Sequence, residues 1–326
     1  MRAVPLLVSL CVLPAACTSP DEPDPAIAVA HLGEIQPGSY GGTLSLVDES
    51  GAPIAKTAAG VTVETRAGTG PWHPATGVSL GNGPPLLDVM IVADNSGSTL
   101  DELTAVKDAL HHMTSVILTR EPPDRVGLIR VSTIASVLAA PTTDAAPVDT
   151  AIDSMFVSNG WTALWDGVRL ARDTLAASQI DATPAGECYP ARTPSVLVYT
   201  DGRENNSADE HDTSYSDESD GIDTTFDDLT GLAVDGTGVA IYTVAIGDDA
   251  DAAGLAALAD ATGGRHVGIA NDGGLLGALH GAAAQLSDLI PFCFTPANCA
   301  DTEARITVTH GNTVHTHVVT LPGCAP

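Results

Sequence analysis

The chain has 326 residues, long enough for one large domain and a smaller module, and its 41 acidic against 13 basic side chains leave a formal charge of −28. A surface this acidic repels nucleic acid and anionic lipid, which excludes polyanion binding as the function. The charge is concentrated: residues 84–290 hold 32 acidic against 9 basic side chains, or −23, while 1–83 carry −4 and 291–326 carry −1.

Taken in chain order, Arg2 and the apolar run from Val4 to Leu13 have the charged start and short hydrophobic stretch of a secretory signal over residues 1–16. The run is too short to span a bilayer as a mature helix. Its end, Leu13-Pro14-Ala15-Ala16-Cys17, resembles a bacterial lipoprotein box, with Pro14 where that box prefers leucine. The resemblance implies lipidation of Cys17, an exported chain on the bacterial envelope, and membrane contact through the lipid anchor only. Removing 1–16 leaves Cys17, Cys188, Cys293, Cys299 and Cys324. Lipidating the first makes the remainder even, enough for two disulfides, the alternative being that one cysteine stays a buried free thiol; the spacing does not fix connectivity.

Residues 17–37, with Pro20, Pro23, Pro25 and Pro37 among Asp21, Glu22 and Asp24, read as a tether. From 38 to 83 the pattern turns β-prone, with Thr43–Val47 and Val61–Thr65 alternating as half-buried strands do around the turn Asp48-Glu49-Ser50-Gly51. In 291–326, Ala304–Thr309 and Val314–Val319 flank the hairpin signal His310-Gly311-Asn312. Neither strand pair would be stable alone. The expectation is a small β-sandwich built from both ends of the chain, with 84–290 inserted between them.

Residues 84–290 alternate strand and helix. Leu86–Ala93 is a near-continuous apolar run of the kind buried on both faces of a parallel sheet, and a helical stretch follows from Leu100 to Leu118. Val126–Val131, Ser195–Tyr199 and Val239–Ile246 read as further strands; Ala163–Ala177, 251–261 and 274–290 read as helices. The series predicts an α/β fold with a doubly wound, mostly parallel sheet, whose ligands bind outside the carboxyl ends of the strands.

Polar residues gather at those ends. Asp94-Asn95-Ser96-Gly97-Ser98 follows the first strand, Gly160-Trp161-Thr162 precedes the second long helix, and Tyr199-Thr200-Asp201-Gly202 ends the third strand. Any one of these is ordinary helix-cap chemistry. Together they offer two carboxylates and three hydroxyls and no nitrogen or sulfur, a donor set for a hard cation such as Mg²⁺, with Ca²⁺ or Mn²⁺ as further candidates. In this order the three segments resemble a von Willebrand factor type A (vWA) domain with an intact metal-ion-dependent adhesion site. The resemblance covers about 84–290 and implies that Ser96, Ser98 and Thr162 offer hydroxyls while Asp94 and Asp201 hold the ion directly or through water. It further implies an acidic side chain of a protein partner completing the coordination, hence binding without catalysis. Thr99 stands where methionine is common in that family, Trp161 separates Gly160 from Thr162, and an acidic insert after Asp201 is long.

That insert holds ten carboxylates between 204 and 228 with no lysine or arginine, the composition of a solvated loop; the functional alternative is a second Ca²⁺ site or an electrostatic screen. No EF-hand spacing occurs in it. Asp251 reads as a helix cap, His315 and His317 as the exposed face of an edge strand, and His111 and His112 as mid-helix residues without a role. No G-x-S-x-G elbow, phosphate-cradling loop ending in Gly-Lys-Ser/Thr, or H-E-x-x-H appears. Two other functions compete: a chelatase-like or motor-associated vWA subunit, which the secretory start opposes, and an acidic, Ca²⁺-stabilised structural lipoprotein.

Overall fold

Strand β6 (Leu86–Asp94) organises the centre of the molecule. Apolar at almost every position, it needs cover on both faces, and each residue from Leu87 to Asp94 is buried. In the computed structural model the described residues are 26–36, 38–47, 59–81, 85–96, 103–120, 123–157, 161–178, 192–205, 207, 224–234, 239–271, 274–310 and 313–321. There β6 runs parallel to β7 (Arg125–Val131) on one side and to β9 (Arg192–Thr200) on the other. Beyond β9 lie β10 (Ala240–Ile246) and β11 (His266–Ile269), also parallel, while β8 (Ala135–Thr142) closes the opposite edge antiparallel to β7. The chain therefore leaves β6 toward β7 and returns on its other side at β9, which makes the carboxyl ends of β6 and β9 the switch point of the sheet.

Helices cover both faces, as the doubly wound expectation requires. Alternate β6 residues Leu87, Val89, Ile91 and Ala93 face α1 (Leu103–Leu118), α2 (Ala145–Ser154) and α6 (Leu275–Ser287). Met90 and Val92 face α3 (Leu164–Ser178), α4 (Phe226–Val234) and α5 (Ala252–Thr262). Helix α3 rests directly on the strands because Gly167 has no side chain: a Cβ there would meet Val131 Cγ2 at 2.4 Å and Val92 Cγ1 at 3.0 Å. Asp251 is the N-cap of α5, its Oδ1 accepting the Gly254 N–H at 3.1 Å.

The chain ends form two four-stranded sheets. One has β2 (Ser39–Val47) between β1 (Ala26–Gln36) and β12 (Ile290–Thr295), with β5 (Thr76–Leu80) on the far side of β12. The other runs β14 (Thr313–Thr320), β13 (Glu303–His310), β3 (Ala59–Arg66), β4 (His73–Pro74). Tyr40, Leu44, Phe292 and Phe294 of the first sheet share a core with Val63, Ala304, Ile306 and Val308 of the second. The runs 43–47 and 61–65, adjacent in sequence, go to different sheets.

Three expectations need correction. The tether over 17–37 ends earlier, because proline density stops at Pro25 and the alternation Ile27-Ala28-Val29-Ala30 supports strand β1, antiparallel to β2. The helix over 274–290 stops at Ser287: Pro291 biases its predecessor away from helix, and Ile290 opens β12. His315 and His317 lie on an edge strand but half-buried, opposite Val308 and Ile306, while Val314 and Val318 take the exposed face. Strand β8 and helices α2 and α4 escape the periodicity reading altogether, being short or, in β8, exposed at alternate positions without a polar alternation in sequence. Among the described residues no helix is long and apolar enough to cross a membrane.

Candidate metal centre

Strand β6 ends on Asp94, and β9 ends on Thr200 with Asp201 next. The pairing of β6 with β9 sets these ends side by side, since Ala93 is opposite Tyr199. One oxygen of Asp94, Oδ1, accepts the Ser96 N–H at 2.9 Å; the other, Oδ2, accepts the Thr200 hydroxyl at 2.5 Å. The Thr200 Oγ1 also accepts the Gly202 N–H at 3.0 Å, which curls the chain around Asp201. Asp94 is only 1% exposed, and burial raises its pKa to about 6 against the opposing hydrogen bonds from Thr200 and Ser96, with Asp201 adding like-charge repulsion. Its hydrogen-bond donors are neutral. A desolvated carboxylate facing a second carboxylate is the charge arrangement that a cation relieves.

Thr162 comes to the same edge by a different route. Its N–H donates to Asn205 Oδ1 at 2.7 Å, its carbonyl accepts the Asn205 N–H at 3.1 Å, and the next residue, Ala163, donates its N–H to Ser132 O at 2.8 Å at the end of β7. The segment after Asp201 also caps α3. Glu204 Oε2 accepts the N–H groups of Leu164 and, at 2.9 Å, Trp165, while Ser207 Oγ accepts the Asp166 N–H at 3.1 Å. Ser207 in turn donates its N–H and its hydroxyl to Glu204, each at 2.6 Å.

Glu204 is thus a buttress of the site, although its sequence neighbourhood reads as solvated acid. The missed signal lies at the other end of the contact: α3 begins at Leu164 after Ala163, with no side-chain acceptor of its own at the cap, so its free N–H groups require one from elsewhere. Asn95 was likewise silent in the sequence. Its N–H donates to Val131 O at 2.9 Å and its Nδ2 to the Phe156 carbonyl, bracing the loop after β6 against β7 and the end of α2.

Of the five expected ligands, Asp94, Ser96, Thr162 and Asp201 are gathered at this edge, the first three at most 4% exposed. Ser98 lies outside the described residues, as do Cys17, Cys188, Cys324 and residues 208–223 of the acidic insert. The donors present are oxygens only, which fits a hard divalent cation. No cluster of three or more His, Cys, Asp or Glu able to hold a metal occurs among the described residues, so an ion here would depend on the hydroxyls.

No curated protein matches the chain in sequence. Among solved structures, proximal thread matrix protein 1 from the mussel byssus, with a zinc-occupied MIDAS motif, is 16% identical with a TM-score of 0.46; the match covers 66% of this chain and 49% of that one, so the present chain spans about half of the mussel protein. A von Willebrand factor type A protein from Catenulispora acidiphila is 11% identical over 92% of this chain and 74% of its own, with a TM-score of 0.45. The vWF domain of the type V pili tip protein Mfa5 from Porphyromonas gingivalis is 13% identical over 63% and 96%, again at 0.45. The model of the von Willebrand factor type A domain matches residues 88–281, more than half of the sequence, and the chain belongs to that family.

Proposed function

We propose that the protein is a metal-dependent binding module of the bacterial envelope, in which Asp94, Ser96, Ser98, Thr162 and Asp201 hold Mg²⁺, or Ca²⁺ or Mn²⁺ in its place, and a carboxylate of a partner protein completes the coordination. The observation that carries this reading is Asp94: a carboxylate buried at the switch point of the sheet, hydrogen-bonded to neutral donors and repelled by Asp201. A bound ion would supply Lewis acidity toward the incoming carboxylate. The protein's own share is to fix Thr162 through Asn205 and the Glu204 cap of α3, to hold Ser96 by its amide bond to Asp94, and to exclude bulk water from Asp94. No bond is made or broken, so the module is not an enzyme.

Export with a lipid on Cys17 completes the proposal. Support comes from the cysteine count, since setting Cys17 aside after residues 1–16 leaves an even number able to pair in an oxidising compartment. An oxidising address also removes the ATP-driven machines that a chelatase-like role would require. Pull-down from envelope extracts with the wild-type chain, with and without EDTA, and with Asp201→Ala tests the reading. Partners should be retained by the wild type in Mg²⁺ alone; the same partners in all three samples would overturn it.

A further inference from the structure

Aromatic residues make up only 4% of this chain, and the large ones are mostly in its cores: Tyr40, Tyr199, Tyr242, Phe292 and Phe294 are fully buried. Among the described residues the exposed large hydrophobics include two aromatics, Phe156 at 58% and Trp161 at 40%. Both stand beside the metal centre. The Phe156 carbonyl is the acceptor for Asn95 Nδ2, and Asn95 is the residue between Asp94 and Ser96. Trp161 immediately precedes Thr162, and its N–H donates to Thr133 Oγ1 at 3.3 Å.

Both rings project from anchored backbone. The Arg130 guanidinium lies 5.2 Å from the centroid of the Phe156 ring, covering one face and leaving the rest open to water. The backbone that carries Trp161 is held on both sides, by its main-chain N–H on Thr133 Oγ1 and by the clamp of Asn205 on Thr162. Rings presented this way lose little conformational entropy when they are covered, which is what a recognition surface requires. Aromatic surface exposed beside a binding centre offers a docking surface, and Trp is among the commonest anchors of interfaces.

Resting on the metal reading above, we propose that Phe156 and Trp161 form a recognition platform next to the ion, selecting a protein segment whose single carboxylate is flanked by apolar or aromatic side chains. Charge complementarity fixes the second half of that description. Residues 84–290 carry −23, and the acidic insert follows Asp201 in sequence, so a further acidic residue beside the coordinating carboxylate meets repulsion. One carboxylate is required by the ion; its neighbours must be uncharged, and the rings reward apolar ones.

The test uses the full chain and three synthetic peptides of equal length: Gly-Ser-Phe-Glu-Leu-Ser-Gly, its Gly-flanked analogue Gly-Ser-Gly-Glu-Gly-Ser-Gly, and the first with Glu replaced by Gln. Binding is followed by calorimetry, with intrinsic tryptophan emission as a second readout for the wild type, in Mg²⁺ and in EDTA. The apolar-flanked peptide should bind about tenfold tighter than the Gly-flanked one and only in Mg²⁺, with the Gln peptide silent. The double variant Phe156→Ser, Trp161→Ser should erase the preference while keeping the Mg²⁺-induced rise in Tm, which shows that it is folded and loaded; Phe156→Tyr, Trp161→Phe should restore it. Equal Mg²⁺-dependent affinity for both Glu peptides overturns the platform and leaves the metal reading standing. A flank preference that persists in EDTA, or with Gln in place of Glu, overturns the metal reading on which the platform rests. Failure of both peptides to bind a chain whose Tm responds to Mg²⁺, or Mg²⁺-dependent dimerisation in their place, assigns the rings another role and overturns the proposal.

Discussion

Two aspartates on strand β6, Asp88 and Asp94, are six residues apart, point to the same face of the sheet and are equally buried, yet their surroundings are opposite. Asp88, at the amino end, accepts from Arg125 Nε at 2.7 Å and Arg192 Nη1 at 3.2 Å and is paired with Arg125 Nη2 as well. Nearby Asp124 is likewise buried and takes Arg120 at 2.5 Å. At the carboxyl end Asp94 has Thr200 and the Ser96 amide instead. Burial alone says nothing about function; what separates a structural carboxylate from a functional one here is whether the fold supplies its counter-charge. At the amino end it does. At the carboxyl end the hydrogen-bond donors are neutral, and the proposed function has a cation supply the counter-charge.

Breaking the structural end should have the largest effect. Asp88→Asn removes one charge and strands two largely buried guanidinium groups, so the chain should lose about 3–5 kcal/mol of stability, read as a drop in urea midpoint that added Mg²⁺ does not repair. Asp94→Asn should do the reverse in metal-free buffer. The sign follows from its pKa, which lies at about 6 in the fold against the ordinary aspartate value of 3.8. Because the folded state holds the proton more tightly, stability from this group is present in acid and is lost as pH rises from about 4 through about 6. In EDTA at pH 7.5 the Asn variant should therefore be more stable than wild type by about 2–3 kcal/mol, with the gap closing toward pH 4. Titrating Mg²⁺ should then raise the wild-type Tm with concentration and leave the variant where it is. A variant less stable than wild type in EDTA at pH 7.5 would mean that Asp94 is a structural residue like Asp88.

A smaller effect should come from the buttress. Glu204→Gln keeps the shape of the α3 cap but weakens its charge-assisted bonds to the Leu164 and Trp165 amides, loosening the approach of Thr162 to the ion. Metal affinity should fall about tenfold, the usual cost of losing an outer-sphere partner, with the urea midpoint in EDTA changing far less. Unchanged affinity with a large stability loss would make Glu204 a helix cap and nothing more.

The same contrast explains what could be read in advance. The sheet was legible because strands buried on two faces leave apolar runs, and Leu86–Asp94 and Ala240–Ile246 have little else in them. The candidate residues Asp94, Thr162 and Asp201 could be singled out because a doubly wound sheet concentrates its polar strand ends at one edge, and the vWA resemblance implied their roles. What could not be read was anything fixed by distant pairing: that Glu204 leaves the acidic insert to cap α3, that Asn205 grips Thr162, and that Asp88 meets arginines from two other strands. Asp88 and Asp94 look equivalent in sequence. Only the fold decides which one Arg125 and Arg192 reach.

His111 offers a third kind of carboxylate pairing and the smallest expected effect. Midway along α1, its Nδ1 meets Asp149 at 2.8 Å and its Nε2 meets Asp153 at 3.1 Å, both on α2, so that one imidazole joins two helices. Partial burial works against the charged ring, but the hydrogen bonds to Asp149 and Asp153 outweigh it and the pKa is raised above 6.5. The pairing therefore contributes fully below the unfolded-state value and fades as pH rises through the folded one. Asp153 is 74% exposed, so water screens much of the attraction. His111→Gln should cost less than about 1 kcal/mol at pH 5.5 and nothing measurable at pH 8.5, as followed by urea denaturation at the two values. This dependence runs opposite to that of a carboxylate paired to arginine, whose contribution is lost in acid, and a cost at pH 8.5 equal to that at pH 5.5 would show that His111 serves by packing and not by charge.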